Sequence, residues 1–291
     1  MDLFLILLVN GIANGSHYAL LGLGFGLIFA TTNIVHFAYG PVFAWSAYAA
    51  WAAATMLGLP IWMAGIVGVV AGAAIGAFAF LFIYRPFQVR GSPVFVILIA
   101  SLGLFIVMEN LIGILAGTDT KIIPNVQNET YFFDVSGYFI LVNQLQIYQV
   151  LALALVGGAL WLFLRLTSYG KAILAMTDNA EMARVIGIDT FKVALLVFII
   201  GSAIAAVPAS LILIKDGANT AMGFNAVFIA FVAVVVGGVG SLRGAVLGGF
   251  LLGLVESTGM MSIPTEWQST IAFIMLFLVL VFRPTGLFRG T

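Results

Sequence analysis

The sequence contains no cysteine, which removes disulfides, thiolate metal sites and cysteine nucleophiles together and leaves the redox compartment unreadable. Charge is nearly as scarce: Asp, Glu, Lys and Arg make up 8% of 291 residues, against roughly 25% in a soluble domain. The 11 basic and 11 acidic residues cancel, with a pI near 6.7, so there is no basic excess for a nucleic-acid partner. The two histidines, His17 and His36, lack the spacing of a metal site, and no metal is expected. No G-x-x-x-x-G-K-[ST] loop, G-x-S-x-G elbow or H-E-x-x-H helix occurs, so no catalytic residue and no nucleotide site is expected in this chain. The chain opens on Met1-Asp2 and runs into apolar sequence without a basic region or a cleavage pattern, so the first hydrophobic stretch reads as a retained helix.

What fills the sequence instead is apolar: 63% hydrophobic residues and a mean hydropathy of +1.20. A soluble core of this length could not hide that much apolar surface, whereas a hydrocarbon layer of about 30 Å needs helices of about 20 such residues. About eight segments fit, near 3–30, 41–57, 61–84, 93–116, 146–165, 191–214, 226–256 and 267–283. The expected fold is an all-α integral membrane protein, a polytopic helical bundle with a single transmembrane domain over 1–291. The clearest segment is 93–116, where each Val, Ile, Leu or Phe favours insertion by about 0.3–0.6 kcal/mol. Its one charge, Glu109, costs about 3 kcal/mol there, and the apolar sum outweighs it. Stretch 226–256 differs, because glycines interrupt it and Arg243 sits near its middle; it reads as two short helices meeting at a turn of Gly237, Gly238, Gly240, Ser241 and Gly244. Glycine pairs such as Gly22/Gly26 and Gly72/Gly76 read chiefly as close helix packing.

The basic residues are unevenly distributed. Arg85, Arg90, Arg165, Lys171, Arg184, Lys192, Arg243, Arg283 and Arg289 fall on one side of the alternating spans, and Lys121 and Lys215 on the other, with Asp119, Glu129, Asp134, Glu256 and Glu266. The positive-inside rule then puts the N-terminus outside and the C-terminus in the cytoplasm. The loop at 117–145, with Asp119, Asn125, Asn128, Tyr131 and Asp134, is expected to be extracytoplasmic and able to cap the outer mouth or receive a partner. The loop at 166–190 is expected to be cytoplasmic and to contain a short amphipathic helix, with apolar residues at three- or four-residue spacing. The pattern alone does not choose between a surface helix and a rod moved by a cytoplasmic motor.

Polar residues inside apolar segments need partners or water. Asn10, Asn14, Ser16 and His17 interrupt the first segment, and Asn33 and His36 follow at its inner end. Hydrogen bonding between helices accounts for them, and lining of a solute path is the competing reading. Glu109 is the acidic residue placed well inside a span, a candidate proton site.

A family resemblance then enters. Ser168-Tyr169-Gly170-Lys171-Ala172, Asp178-Asn179 to Ala183, and Ile186-Gly187-Ile188 resemble the cytoplasmic coupling segment of branched-chain amino acid ABC importer permeases, of the LivH type. Phe198 to Ala206, Gly223-Phe224, Val235 to Ser241, Gly244 to Gly249 and the ending Arg283-Pro284-Thr285-Gly286-Leu287-Phe288 follow in the family's order. The first half is similar more loosely, through Asn10-Gly11 and His36-Phe37-Ala38-Tyr39-Gly40, where the family usually shows Asn-Phe-Ala-His-Gly. The resemblance implies a permease subunit that moves a small polar solute by alternating access, most simply branched-chain amino acids. It also implies a location in the bacterial inner membrane, a second permease subunit, two cytoplasmic ABC ATPase subunits that bind ATP and magnesium, and an extracytoplasmic solute-binding protein. The coupling residues would be Ser168, Gly170, Lys171, Ala172, Met176, Asn179, Ala183, Ile186 and Gly187, with Ala172, Met176, Asn179, Ala183 and Ile186 set in the ATPase groove. The family also includes urea and amide importers. From outside it, an ion-coupled secondary transporter would need midplane ionisable groups, and a non-transporting membrane scaffold would need neither the broken span nor the motor-like loop.

Overall fold

The computed structural model describes residues 2–124, 128–135, 138–261, 264 and 267–288. The long apolar segments form helices because a chain in lipid has no water to bond, and only a helix satisfies its backbone internally. In order they are α1 (Asp2–Thr32), α2 (Tyr39–Thr55), α3 (Ile61–Phe78) and the short α4 (Arg85–Val89), followed by α5 (Val94–Ala116), α6 (Gln144–Leu166) and α7 (Ser168–Val185). The remainder are α8 (Thr190–Asp216), α9 (Met222–Gly237), α10 (Leu242–Gly259) and α11 (Gln268–Phe282). Among the described residues, five continuous helical stretches, starting at Leu3, Ile61, Val94, Gln144 and Thr190, are long and apolar enough to cross a membrane. Counting the bent α9–α10 pair as one span gives up to six among the described residues, against about eight expected; α2, of 17 residues, and α11, of 15, are shorter than these spans.

Each shorter segment has a local cause. After α1 the chain continues through 33–38 without helix, and α2 begins only at Tyr39, whose hydroxyl donates to the Leu21 carbonyl in the middle of α1 (3.1 Å). The extended stretch holds His36, fully buried, with its Nδ1 2.6 Å from the Tyr84 hydroxyl. Tyr84 donates to Ser101 Oγ (2.9 Å), which also accepts the Ala38 N–H (3.3 Å). A buried polar loop is tolerated where its groups find such partners. Between α3 and α4 the helix widens into a π-turn over Ala79–Tyr84, ahead of Pro86.

Helices α9 and α10 form a hairpin bent by 114° rather than one span, as the glycines and Arg243 led one to expect. Helix α10 runs antiparallel along α1: Gly253 meets the Gly15 backbone, Gly249 meets Ala19, and Gly22 meets Ala233 and Ala245. Gly68, Gly72 and Gly76 of α3 likewise admit Ser46 of α2 and Ser202 and Ala206 of α8. These glycine rows are packing surfaces, as small residues are in lipid.

The loop at 117–145 adds something the all-α reading omits, a two-stranded antiparallel hairpin of β1 (Thr130–Val135) and β2 (Tyr138–Asn143). It feeds α6 through a capping box: Leu145 N–H donates to Asn143 Oδ1 (3.0 Å), and Asn143 N–H donates to Gln146 Oε1 (2.9 Å). Asn125, Glu266 and Arg289, and the side chain of Asp134, lie outside the described residues.

Candidate functional site

The bundle has two distinct ends. At one, α7 lies across the helix ends. Thr167 Oγ1 accepts the Gly170 N–H (2.9 Å) and donates to the Phe163 carbonyl (2.8 Å), turning the chain sharply out of α6. A Cβ on Gly170 would lie 2.2 Å from the Phe163 oxygen, so only glycine fits this corner. The helix then breaks at Asn179, whose backbone is extended (φ −158°, ψ 102°). Asn179 Oδ1 accepts the Met182 N–H (2.9 Å), making it the N-cap of a second short turn of helix. The expected single amphipathic helix is therefore two pieces joined by a capping residue.

The far end of α7 closes on Gly187. Ile188 N–H donates to the Ala183 carbonyl (3.0 Å) and Gly187 N–H to the Arg184 carbonyl (3.1 Å), with Gly187 at φ +89°, a Schellman motif. Asp189 immediately caps α8, its carboxylate accepting the Lys192 N–H (3.1 Å) and pairing with the Lys192 ammonium (3.1 Å). Those contacts hold the exposed Asp189 carboxyl below its ordinary pKa.

The structure divides the sequence-predicted coupling residues by face. Gly170, Met176 and Ala183 are buried, Ala183 to 2%, within this chain's own core. Ser168, Lys171, Asn179, Ile186 and Gly187 are exposed, and Ala172 is half-buried. A partner-facing surface that includes Met176 and Ala183 is therefore corrected: their apolar side chains seat α7 on the bundle. Open to a partner are Lys171, Leu174, Met182, Val185 and Ile186. Periodicity marked the apolar positions, and the buried stripe keeps its three- and four-residue spacing across the break at Asn179, through Met176, the half-buried Ala180 and Ala183.

The broken-helix turn lies against α6, Leu242 and Arg243 sharing a cavity wall with Trp161 and Leu164. A Cβ on Gly237 would fall 1.9 Å from the Gly244 oxygen, so the α9 and α10 backbones are in direct contact. Gly238 and Gly240 have positive φ, and Ser241 caps α10 through the Gly244 N–H (3.0 Å). The C-terminal segment completes the turn: Leu287 N–H donates to the Val236 carbonyl (2.9 Å) and Phe288 N–H to the Gly237 carbonyl (3.0 Å). The last carbonyls of α9, unpaired in an isolated helix, thus find donors some fifty residues later, a pairing without a sequence signal. A cavity of about 630 Å³ opens between α7 and the bundle, lined by Asn33, Arg85, Met176 and Arg184. Arg85 also lies 4.3 Å over the Phe191 ring.

At the opposite end, two adjoining cavities of about 520 and 310 Å³ share Asn14, Gln149 and Lys215 in their walls. Asn10 lines the smaller and accepts from Gln146 Nε2, while Asn14 reaches Ser257 Oγ (3.4 Å). His17 lines the larger. Of the polar residues singled out in the first segment, Asn10, Asn14 and His17 thus meet at one vestibule, and Asn33 lines the cavity at the other end. Ser16 is buried and bonds back to the Ile12 carbonyl (2.8 Å); His36 belongs to the buried network with Tyr84. Neither lines the vestibule or the cavity beside α7. Sequence reading missed Lys215 and Glu256 here. Helix α10 runs to Gly259, three residues past the expected end of the segment, and leaves Glu256 buried, 4% exposed, in the cavity wall. Glu109 is half-buried on α5 and does not line these cavities.

Residues 7–280 match the family described as branched-chain amino acid transport system, permease component. The chain belongs to this family. The permease is 34% identical to the high-affinity branched-chain amino acid transport system permease protein BraD of Pseudomonas aeruginosa, over 96% of this chain and 94% of that one. It is equally 34% identical to the permease protein LivH of Escherichia coli K12, over 98% and 95%. In fold it is similar to PsaBC from Streptococcus pneumoniae, solved in complex with Fab, with a TM-score of 0.51 at 14% identity, covering 95% of this chain and 91% of that one. As a permease component it is a non-catalytic membrane subunit of a transport system.

Proposed function

We propose that this permease carries branched-chain amino acids inward across a bacterial inner membrane, driven by ATP that other subunits hydrolyse. Family membership over nearly the whole chain supports the transport role. The observation that carries the ATP-driven reading is α7, a two-piece amphipathic element seated across the bundle end where the described arginines cluster, with Lys171, Leu174, Met182, Val185 and Ile186 turned outward. Such a face fits the groove of a cytoplasmic ATPase. Ala183 and Met176 on the reverse face would pass its movement to α1, α6 and α8.

The assembly in this reading contains a second permease subunit, two ABC ATPase subunits holding ATP and magnesium, and an extracytoplasmic binding protein. The 166–190 segment is the coupling element and faces the cytoplasm. The hairpin in 117–145 and the vestibule face outward, where a loaded binding protein would dock. The N-terminus is outside and the C-terminus inside, in agreement with Lys and Arg segregation. Alternating access would open the vestibule and the cavity beside α7 in turn.

The test is co-purification followed by reconstitution. A tagged permease should bring down an ATPase, and vesicles containing the complex should take up leucine, isoleucine or valine only with ATP inside and binding protein outside. Uptake that persists without ATP would instead support an ion-coupled carrier, and uptake of urea or amides alone would move the substrate class.

A further inference from the structure

The vestibule opposite α7 joins three kinds of chemistry in one volume. Lys215, in the last turn of α8, presents an ammonium, and Glu256 of α10 presents a carboxylate. Along α1 toward the α7 end, the wall changes from Asn14 through His17 to Leu21, joined by Phe43 and Ile229. His17 is 6% exposed, and its Nδ1 has no hydrogen-bond partner among the described residues. Lys215 lies 3.7 Å from Asp216, but both side chains are about half exposed, a pair that holds weakly and exchanges readily. At about 520 Å³ the larger cavity falls within the roughly 300–1,000 Å³ of small-molecule sites.

We infer that this vestibule is the permease's own binding site for a zwitterionic amino acid, with the α-carboxylate at Lys215, the α-ammonium at Glu256, and the aliphatic side chain directed along α1 onto Leu21, Phe43 and Ile229. The inference rests on the amino-acid reading above and adds the residues that recognise the substrate. A buried carboxylate inside a bundle is expensive and marks a substrate or ion path. A ligand ammonium would place an opposite charge beside Glu256 at the cavity wall, and the ligand's own carboxylate replaces Asp216 at Lys215. Because the ligand is net neutral, its passage leaves the site's charge unchanged. The apolar floor accepts aliphatic side chains and disfavours charged ones. His17 supplies a polar atom between the charged rim and that floor.

The experiment uses the complete importer in proteoliposomes with saturating loaded binding protein, reading solute uptake and ATP hydrolysis together. Glu256→Gln and Lys215→Met should each lower leucine moved per ATP by about thirtyfold, the lower end for losing one partner of a close charge pair. Assembly and binding-protein-stimulated hydrolysis should persist. Ile229→Trp, which narrows the floor, should lower the leucine-to-valine uptake ratio by about tenfold, the lower range for discriminating one methylene. That ratio is insensitive to how much complex assembles, and it decides the question if a charge variant fails to fold. Unchanged leucine per ATP in both charge variants, or an unchanged ratio in Ile229→Trp, overturns the site. Absence of branched-chain uptake by the unsubstituted complex overturns the substrate class instead.

Discussion

Gly237 stands where the α9 and α10 backbones touch. An added methyl would lie 1.9 Å from the Gly244 oxygen, too close for any rotamer change to relieve. Gly237→Ala should therefore destabilise the permease by at least about 1–3 kcal/mol, as overpacking does, seen as a lower thermal-unfolding midpoint in detergent. An unchanged midpoint would mean the hairpin is less tightly closed than described. Asp189 offers a second residue-level test. Its carboxyl pKa is depressed by the Lys192 amide and ammonium, so its stabilising contribution is present above the ordinary aspartate pKa and is lost as pH falls through the depressed value. Asp189→Asn keeps an oxygen for the cap but cannot titrate. Hydrogen exchange of peptides spanning 186–193 should diverge between the wild type and this variant near neutral pH and converge in acid.

At the scale of elements, α7 carries the sharpest contrast. Ala183 is buried against the bundle, whereas Val185 and Ile186, two and three residues on, are exposed. Ala183→Glu should lower the stability of the permease itself, because it buries a charge in its core. Val185→Glu with Ile186→Glu should leave the unfolding midpoint within about 0.5 kcal/mol of wild type, as surface changes do, yet weaken capture of the ATPase subunits. Equal loss of stability in both variants would count against the division of faces. This element also marks how far sequence reading reached. Of the apolar spacing legible at Ile173, Met176, Ala180, Ala183 and Ile186/Gly187, the first four positions face the bundle, whereas Ile186 and Gly187 are exposed. The break was not legible: Asn179 caps only because its backbone leaves the helix, which helix periodicity does not encode. The strap from Gly286 to Phe288 onto Val236 and Gly237 was similarly invisible, being a pairing of backbone groups across distant sequence. The hairpin of β1 and β2 lay in a stretch read only as a polar loop.

For the whole molecule, the long spans and the broken α9–α10 pair were legible because lipid imposes length and apolarity on each segment separately. The vestibule was harder to read, since Lys215, Glu256 and His17 come together only when α8, α10 and α1 pack. Described arginines gather at the α7 end, while Lys121 pairs its backbone with Ala218 beside Lys215 at the other. Both the coupling role of α7 and the outward vestibule require the first of these ends to face the cytoplasm. The chain has no native cysteine, so a single introduced thiol reports cleanly. In intact cells treated with a membrane-impermeant thiol reagent, Asn179→Cys should remain unlabelled and become labelled only after the membrane is opened. Labelling of that position from outside intact cells would reverse the orientation and remove α7 from the reach of any cytoplasmic motor.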